Sequence, residues 1–203
     1  MQIIDLSVVI NEQTPVYPGD PATKIVPAGV FAKDGWNDHY ISFGTHVGTH
    51  VDAPMHMIED GKGLNQIPLE QFTGPGRCIK VNGGFDLETI RQAGIQEGEI
   101  VLFDTGLGAK YHEQVYFEDY PAMSEEVAKY LVGQKVKMVG FDTCSADNQE
   151  GFPIHKILLG GDVLIIENLT NLNLLADKAF KVYALPLNLE IDGSPSRVIA
   201  EVS

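Results

Sequence analysis

Short apolar and β-branched runs, separated by glycine and proline, set the rhythm of the chain. Ile3 to Ile10, His39 to Phe43, Arg77 to Val81, Ile100 to Phe103, Lys137 to Phe141, Val163 to Ile166, Lys181 to Leu185 and Arg197 to Val202 have the length and composition of strands. Between some of them the pattern becomes helical. Asp86 to Gly94 closes on a glycine suited to a helix C-terminus, and Ser124 to Val132 opens with an N-cap serine and two acidic residues that favour the helix dipole. Leu169 to Asp177 is a weaker third helix. The β-α-β alternation from Arg77 to Phe141 calls for parallel pairing through crossovers, and the surplus strands add antiparallel partners. The pattern predicts an α/β fold on a strand-rich mixed sheet. No repeat or linker-like tract divides the chain, so residues 1–203 are expected to form a single domain.

A chain of 203 residues can bury a sizeable core without disulfide staples. Its 14 basic and 28 acidic side chains give a formal net charge of −14, which argues against nucleic acid and anionic membrane as partners. Cys78 and Cys144 stand in no CxxC or CxxH spacing, so a thiolate-caged zinc is excluded and a reducing compartment fits. The N-terminus lacks a basic stretch before its apolar residues, and no apolar run is long enough to span a bilayer, so a cytoplasmic protein is expected. The six histidines are not scattered: His39, His46, His50 and His56 fall close together.

His46, His50, Asp52 and His56 share one parity, so in an extended strand they would share one face. A straight strand would nevertheless hold His46 and Asp52 roughly 20 Å apart, whereas ligands of one metal must each approach it to about 2 Å. The chain must bend here, and Gly44, Gly48 and Pro54 permit it. A single helical turn placing His46 and His50 at i and i+4 is the alternative. Imidazole and carboxylate together suit Zn²⁺, Mn²⁺ or Fe²⁺, and a site without sulfur can keep a position open for water. Downstream, His155 lies in a short amphipathic turn stopped by Gly160 and Gly161, and Glu167 ends an apolar run, where a buried acid needs a partner or a cation. Four histidines and two carboxylates exceed the needs of one tetrahedral ion. Either a two-metal centre or one metal with an acid/base histidine accounts for them.

The segment Gly44 to His56, GTHVGTHVDAPMH, resembles the HxGTHxDxPxH signature of the cyclase-like metal-dependent hydrolase family, whose members include bacterial kynurenine formamidase and isatin hydrolase. The resemblance extends to Asp5-Leu-Ser, to Tyr17-Pro-Gly-Asp20, to Gly140 through Ser145, to His155 through Asn168, and to Asp192 through Arg197. It implies the swivelling β/β/α fold of that family and a homodimer. His46, His50 and Asp52 are implied as ligands of a first metal, with Asp52 bridging to a second held by His155 and Glu167. His56 is implied as the acid/base residue. The implied cofactor is a pair of Zn²⁺ ions per subunit, with Mn²⁺ as the alternative. The implied reaction is arylformamidase action on a small amide, N-formyl-L-kynurenine, by activated water; opening of a cyclic amide or lactone, as in isatin hydrolase, is the rival. A non-catalytic metal-binding protein would leave His56 without a task. Two departures bear on substrate: Tyr17 stands where the formamidase branch has Trp, and Cys144 where Pro is common.

Several residues have weaker claims. Tyr17 is expected to cover a flat substrate and Ser145 to contact it through its hydroxyl. Trp36, Tyr40 and Phe43 are candidates for an aromatic wall, although core packing is the better expectation for each. Cys144 is expected to be a buried small hydrophobe, His39 and His112 to be structural or exposed, and Arg197 to bind a substrate carboxylate or pair with an acid.

Overall fold

A strand that is apolar at every position must be covered on both faces, and the centre of the computed structural model, which describes residues 1–81 and 83–202, is built from such strands. In chain order the strands are β1 (Gln2–Asp5), β2 (Lys24–Gly29), β3 (Asp38–Ser42), β4 (His50–Asp52), β5 (Thr73–Lys80), β6 (Ile100–Asp104), β7 (Met138–Phe141), β8 (Leu164–Glu167), β9 (Phe180–Tyr183), β10 (Gly193–Pro195) and β11 (Ile199–Val202). The α-helices are α1 (Phe31–Asp34), α2 (Leu87–Gln92), α3 (Val115–Glu118), α4 (Glu125–Gly133) and α5 (Pro153–Gly160). Nine strands form one mixed sheet in the order β1-β11-β9-β5-β6-β7-β8-β4-β10. The run β5-β6-β7-β8 is parallel and the remaining pairs are antiparallel. This is the α/β mixed sheet that the pattern predicts.

Side-chain alternation divides the interior into two cores. Val101, Phe103, Val139, Phe141 and Ile165 face α2, α4 and α5, against Ile90, Val127, Leu131, Ile154 and Leu158. The residues between them, Ile100, Leu102, Met138, Leu164 and Ile166, face the opposite core. Ile4 from β1 and Val51 from β4 join that second core although their strands lie near opposite ends of the sheet. The sheet therefore curls around it. Helix α4 begins as expected, with the Ser124 hydroxyl accepting from the Val127 amide and two glutamates in the first turn.

Three expectations change in detail. The first strand ends at Asp5 rather than Ile10, because the Ser7 hydroxyl accepts from the Val198 amide at 2.7 Å and donates to its carbonyl at 3.1 Å, replacing ladder bonds with side-chain ones. The segment Leu169 to Asp177 holds only a 3₁₀ turn, Leu172–Leu175, because Asn171 takes a left-handed conformation at its start. Strand β3 pairs with β2 as a separate two-stranded arm, and every residue of β3 is exposed. Trp36 and Tyr40 sit on that arm, exposed, instead of in a core.

The C-terminal ends of β7 and β8 open on the same edge, where α5 packs and where β4 joins the sheet. Catalytic and binding groups in open α/β sheets gather at this kind of edge.

Candidate metal centre

Local geometry turns the histidine segment back on itself. Gly48 has φ +60, and a Cβ there would press on the side chain of Ile10, so a glycine is what lets the chain reverse before β4. From His50 to Asp52 the backbone is extended, which puts the two side chains on one face and sends Val51 into the core between them. Strand β8 lies antiparallel alongside, with Glu167 directly across from His50. Pro54 then starts a 3₁₀ turn, Pro54–His56, that swings His56 back. Helix α5 contributes His155. The bent-strand reading holds for His50 to Asp52, with His46 on the irregular turn before it; the alternative, a helical turn joining His46 to His50, does not form, and the one 3₁₀ turn of the segment carries His56 instead.

The result is a cluster centred on Asp52. His46 Nδ1 lies 2.7 Å from Asp52 Oδ1, His50 Nε2 lies 3.3 Å from the same oxygen, and His155 Nε2 lies 3.7 Å from Oδ2. Glu167 stands 3.2 Å from His155 Nε2 and 3.6 Å from His50 Nε2. The rings of His46 and His56 approach to 3.9 Å between centroids. All six residues expected at the centre are thus brought together.

Asp52 is completely buried. Burial works against its charge, but His46 and His50 beside it outweigh that and hold its carboxyl well below the usual range. Burial likewise opposes charge on His46, yet Asp52 and Asp192 raise it to about 9; on His155, Asp147, Glu167 and Asp52 overcome burial and raise it to about 10. His50 is also raised, against its burial, by Asp52 and Glu167. His56 is the exception. Burial, reinforced by the neighbouring His46 and His155, pushes it below its ordinary value despite Asp52 and Glu167. It is the one histidine of the cluster whose surroundings favour the neutral, proton-accepting ring.

Two buried atoms point into this cluster without a hydrogen bond, His50 Nε2 and Asp52 Oδ2. Unpaired buried polar atoms are costly and uncommon, and a nitrogen lone pair beside carboxylate oxygens is a donor set that a divalent cation satisfies. Two groups have ligand atoms close enough to share an ion: His46, Asp52 and His56, and His50, Asp52 and Glu167. Asp52 belongs to both, as a bridging carboxylate would. The division differs from the expected one in placing His56 beside His46 and in setting His50 with Glu167. The residues fit a metal centre.

The tautomer of His50 is set by its surroundings, since Nδ1 lies 2.8 Å from the Gly48 carbonyl, an acceptor only, which leaves Nε2 for the centre. The Asn168 amide also donates to that carbonyl at 3.0 Å, and its own Oδ1 accepts from the Tyr116 hydroxyl at 2.8 Å. Asn168 itself is held in a left-handed conformation. Asp192, 3.0 Å from His46 Nε2 and 3.5 Å from His56 Nδ1, closes the outer side. Asp147, 2.7 Å from His155 Nδ1, closes the inner side. The sequence reading gave none of these three a role. Asn168 and Asp192 lie in segments that resemble the family, but only the pairing of β4 with β8 and β10 brings them to the centre; Asp147 has no local signal at all.

A cavity of about 480 Å³ opens above the cluster, with Tyr17, Phe117, Cys144, Ser145 and Phe152 in its wall and His46, His56, His155 and Glu167 at its base. Tyr17 and Ser145 therefore stand where a substrate would meet them. Trp36, Tyr40 and Phe43 do not line it. Cys144 is buried, and burial together with Glu167 pushes its thiol up to about 12. Arg197 pairs with Asp5 at 2.7 Å, and His39 is exposed on the arm.

The sequence pattern of the family described as putative cyclase matches residues 4–148. The kynurenine formamidase of Bacillus cytotoxicus is 29% identical over 202 residues, covering 97% of this chain and 95% of the relative. Among solved structures, a potential metal-dependent hydrolase with cyclase activity superposes with a TM-score of 0.83 at 31% identity, over 98% of this chain and 96% of its own. An isatin hydrolase bound to the product analogue thioisatinate superposes with a TM-score of 0.87 over 98% and 91%; at 21% identity that likeness shows the fold. Among the described residues no helix is long and apolar enough to cross a membrane.

The raised histidines make a pH prediction for the metal-free protein. A group whose pKa rises on folding stabilises the fold fully below its unfolded value, here 6.5, and loses that contribution as pH passes the folded value, about 9 for His46 and about 10 for His155. Chelator-treated protein is expected to lose thermal stability progressively from pH 6.5 to about 10. A melting temperature that is flat or rising across that window would contradict the imidazolium–carboxylate pairing.

Proposed function

This chain belongs to the cyclase family of metal-dependent hydrolases, and we propose that it hydrolyses the amide of an N-formyl arylamine, N-formyl-L-kynurenine being the substrate that best fits. The observation that carries this reading is one buried carboxylate, Asp52, shared by two ligand groups whose members His46, His56 and Glu167 reach the base of a cavity of about 480 Å³ with aromatic residues in its wall. In this reading His46, His50 and Asp52 would hold a first cation and Asp52, His155 and Glu167 a second, a division that differs from the two closest groups by leaving His56 free as the acid/base; the cations would be zinc, with Mn²⁺ as the alternative. Such a cation supplies Lewis acidity, lowering the pKa of a water molecule toward neutrality and polarising a carbonyl oxygen.

The protein's own residues do the rest. Tyr17, Phe117 and Phe152 offer ring faces and edges to a flat aryl group, which fixes its orientation while the formyl carbon faces the cluster. Ser145 stands in the same wall, its Oγ accepting from the Asp147 amide at 3.2 Å. His56, neutral in these surroundings, accepts the proton of the attacking water and returns it to the nitrogen as the C–N bond breaks. Water adds to the formyl carbon, and the products are formate and the free amine. Opening of a cyclic amide uses the same steps, which keeps that substrate class in the comparison.

The pairing of two copies is part of the same proposal. Its support is the β2–β3 arm, where Val26, Phe31, Trp36, Tyr40 and Ile41 are all exposed. An isolated two-stranded hairpin is marginal in water, so this one needs a covering surface. A cytoplasmic location agrees with two free cysteines.

Turnover of formylkynurenine, isatin, aryl esters and lactones by zinc- and manganese-loaded protein tests the substrate. Formylkynurenine is expected to be hydrolysed fastest, and turnover of none with metal bound would contradict the reading. His56→Ala is expected to lose roughly 10²–10⁴ in turnover while keeping its metal. If the metal leaves with the activity, His56 is a ligand in the group it forms with His46 and Asp52. Light scattering is expected to give a dimer for the wild-type chain and a shift toward monomer for Trp36→Ser/Tyr40→Ser. A monomeric wild-type protein would remove the arm's proposed task.

A further inference from the structure

His155 reaches the centre only if its ring is turned and protonated in one way. The ring belongs to α5, an eight-residue helix, and its Nε2 faces Glu167 Oε1 at 3.2 Å and Asp52 Oδ2 at 3.7 Å. Behind it stands Asp147, almost wholly buried. Asp147 Oδ1 accepts from the Ile154 amide at 2.9 Å, and Oδ2 accepts from the His155 amide at 2.9 Å and lies 2.7 Å from His155 Nδ1. Its backbone is tied as well, the amide donating to the Ser145 hydroxyl and the carbonyl accepting from the Tyr120 hydroxyl.

A buried carboxylate that already accepts two backbone N–H groups is an acceptor and not a donor, so the ring nitrogen beside it must carry the proton. With Nδ1 protonated, the nitrogen available to a cation is Nε2, the one that faces the shared carboxylates. The same oxygen that orients the ring also holds the first turn of α5, so ring orientation and helix placement are set together.

The geometry points to Asp147 as a positioning residue that fixes His155 in the Nδ1–H form and aims Nε2 at the metal centre. This rests on the metal-dependent reading above and adds a residue to it. Carboxylates behind ligating histidines raise the ring's basicity as well as orient it, and their loss typically weakens metal binding 10–100-fold.

Asp147→Asn keeps the shape but replaces one acceptor by an NH₂ group, which cannot satisfy the two helix amides and the ring together. In chelator-competition titrations with zinc, the folded variant is expected to bind one equivalent 10–100-fold more weakly than wild type, with an unchanged far-UV spectrum when metal-free. Wild-type affinity in the folded variant would overturn the assignment. The wild-type protein gives an answer that needs no variant: in long-range ¹H–¹⁵N spectra of zinc-loaded, histidine-labelled protein, His155 is expected to carry its proton on Nδ1. A proton on Nε2, or metal on Nδ1, would overturn it. If the protein takes up no zinc, the metal-dependent reading fails, and the metal-free spectrum still decides for Asp147 by showing or lacking an exchange-protected Nδ1 proton.

Discussion

A carboxylate with no access to water sits at the centre of this molecule, and the rest of the site is arranged around the cost of keeping it charged. Removing an isolated carboxylate from water costs far more than a domain can spare, so Asp52 must be matched by positive charge or lose its own. In the metal-free protein the match is made by histidines: His46, His50 and His155 lie within 4 Å of Asp52 and two carboxylates beyond it, Glu167 and Asp192, share the load. Protons and divalent cations therefore compete for the same nitrogens. Metal uptake by such a centre must release protons.

The fold supplies what that balance requires. Asp52 and His50 come from β4, which lies between β8 and β10, so backbone pairing on both sides holds them and neither depends on a loop for position. Glu167 closes β8 and is held by the Ala146 amide at 3.0 Å, in the loop that follows β7. His155 is delivered by α5, which packs with α2 and α4 on one face of the sheet. The cluster draws His50 and Asp52 from one strand, Glu167 from its neighbour, His155 from a helix and His56 from a 3₁₀ turn, with His46 alone on the irregular segment before β4. The cavity wall, with Tyr17 and Ser145, comes from irregular segments. The titratable cluster thus sits mostly on regular elements and much of the cavity wall on loops, the segments most free to vary.

The legible part of the sequence was the part whose signal is local. β6 and β7 are read correctly because residues apolar on both faces leave a continuous run, Ile100 to Phe103 and Met138 to Phe141. The cluster of His46, His50, Asp52 and His56 is visible because it is contiguous, and its resemblance to a known signature reaches His155 and Glu167 as well. β4 and β10 have no strand signal of their own: His-Val-Asp and Gly-Ser-Pro become strands only by pairing with each other and with β8. Asp147 and Asp192 are invisible for the same reason, because their importance lies in contacts with residues far away in sequence. Trp36 and Tyr40 show the converse. Their aromatic character favours core packing, with a place in the pocket as the lesser expectation, and a turn in the chain carries them onto an exposed arm instead.

The most direct measurement is the location of metal in crystals of the zinc-loaded protein, by anomalous diffraction at the zinc edge. Two peaks are expected, one on each side of the Asp52 carboxylate and each at about the 2 Å typical of zinc–oxygen bonds. Zinc bound elsewhere, or crystals that take up none while Asp52 remains buried and charged, would contradict a centre organised by one shared carboxylate.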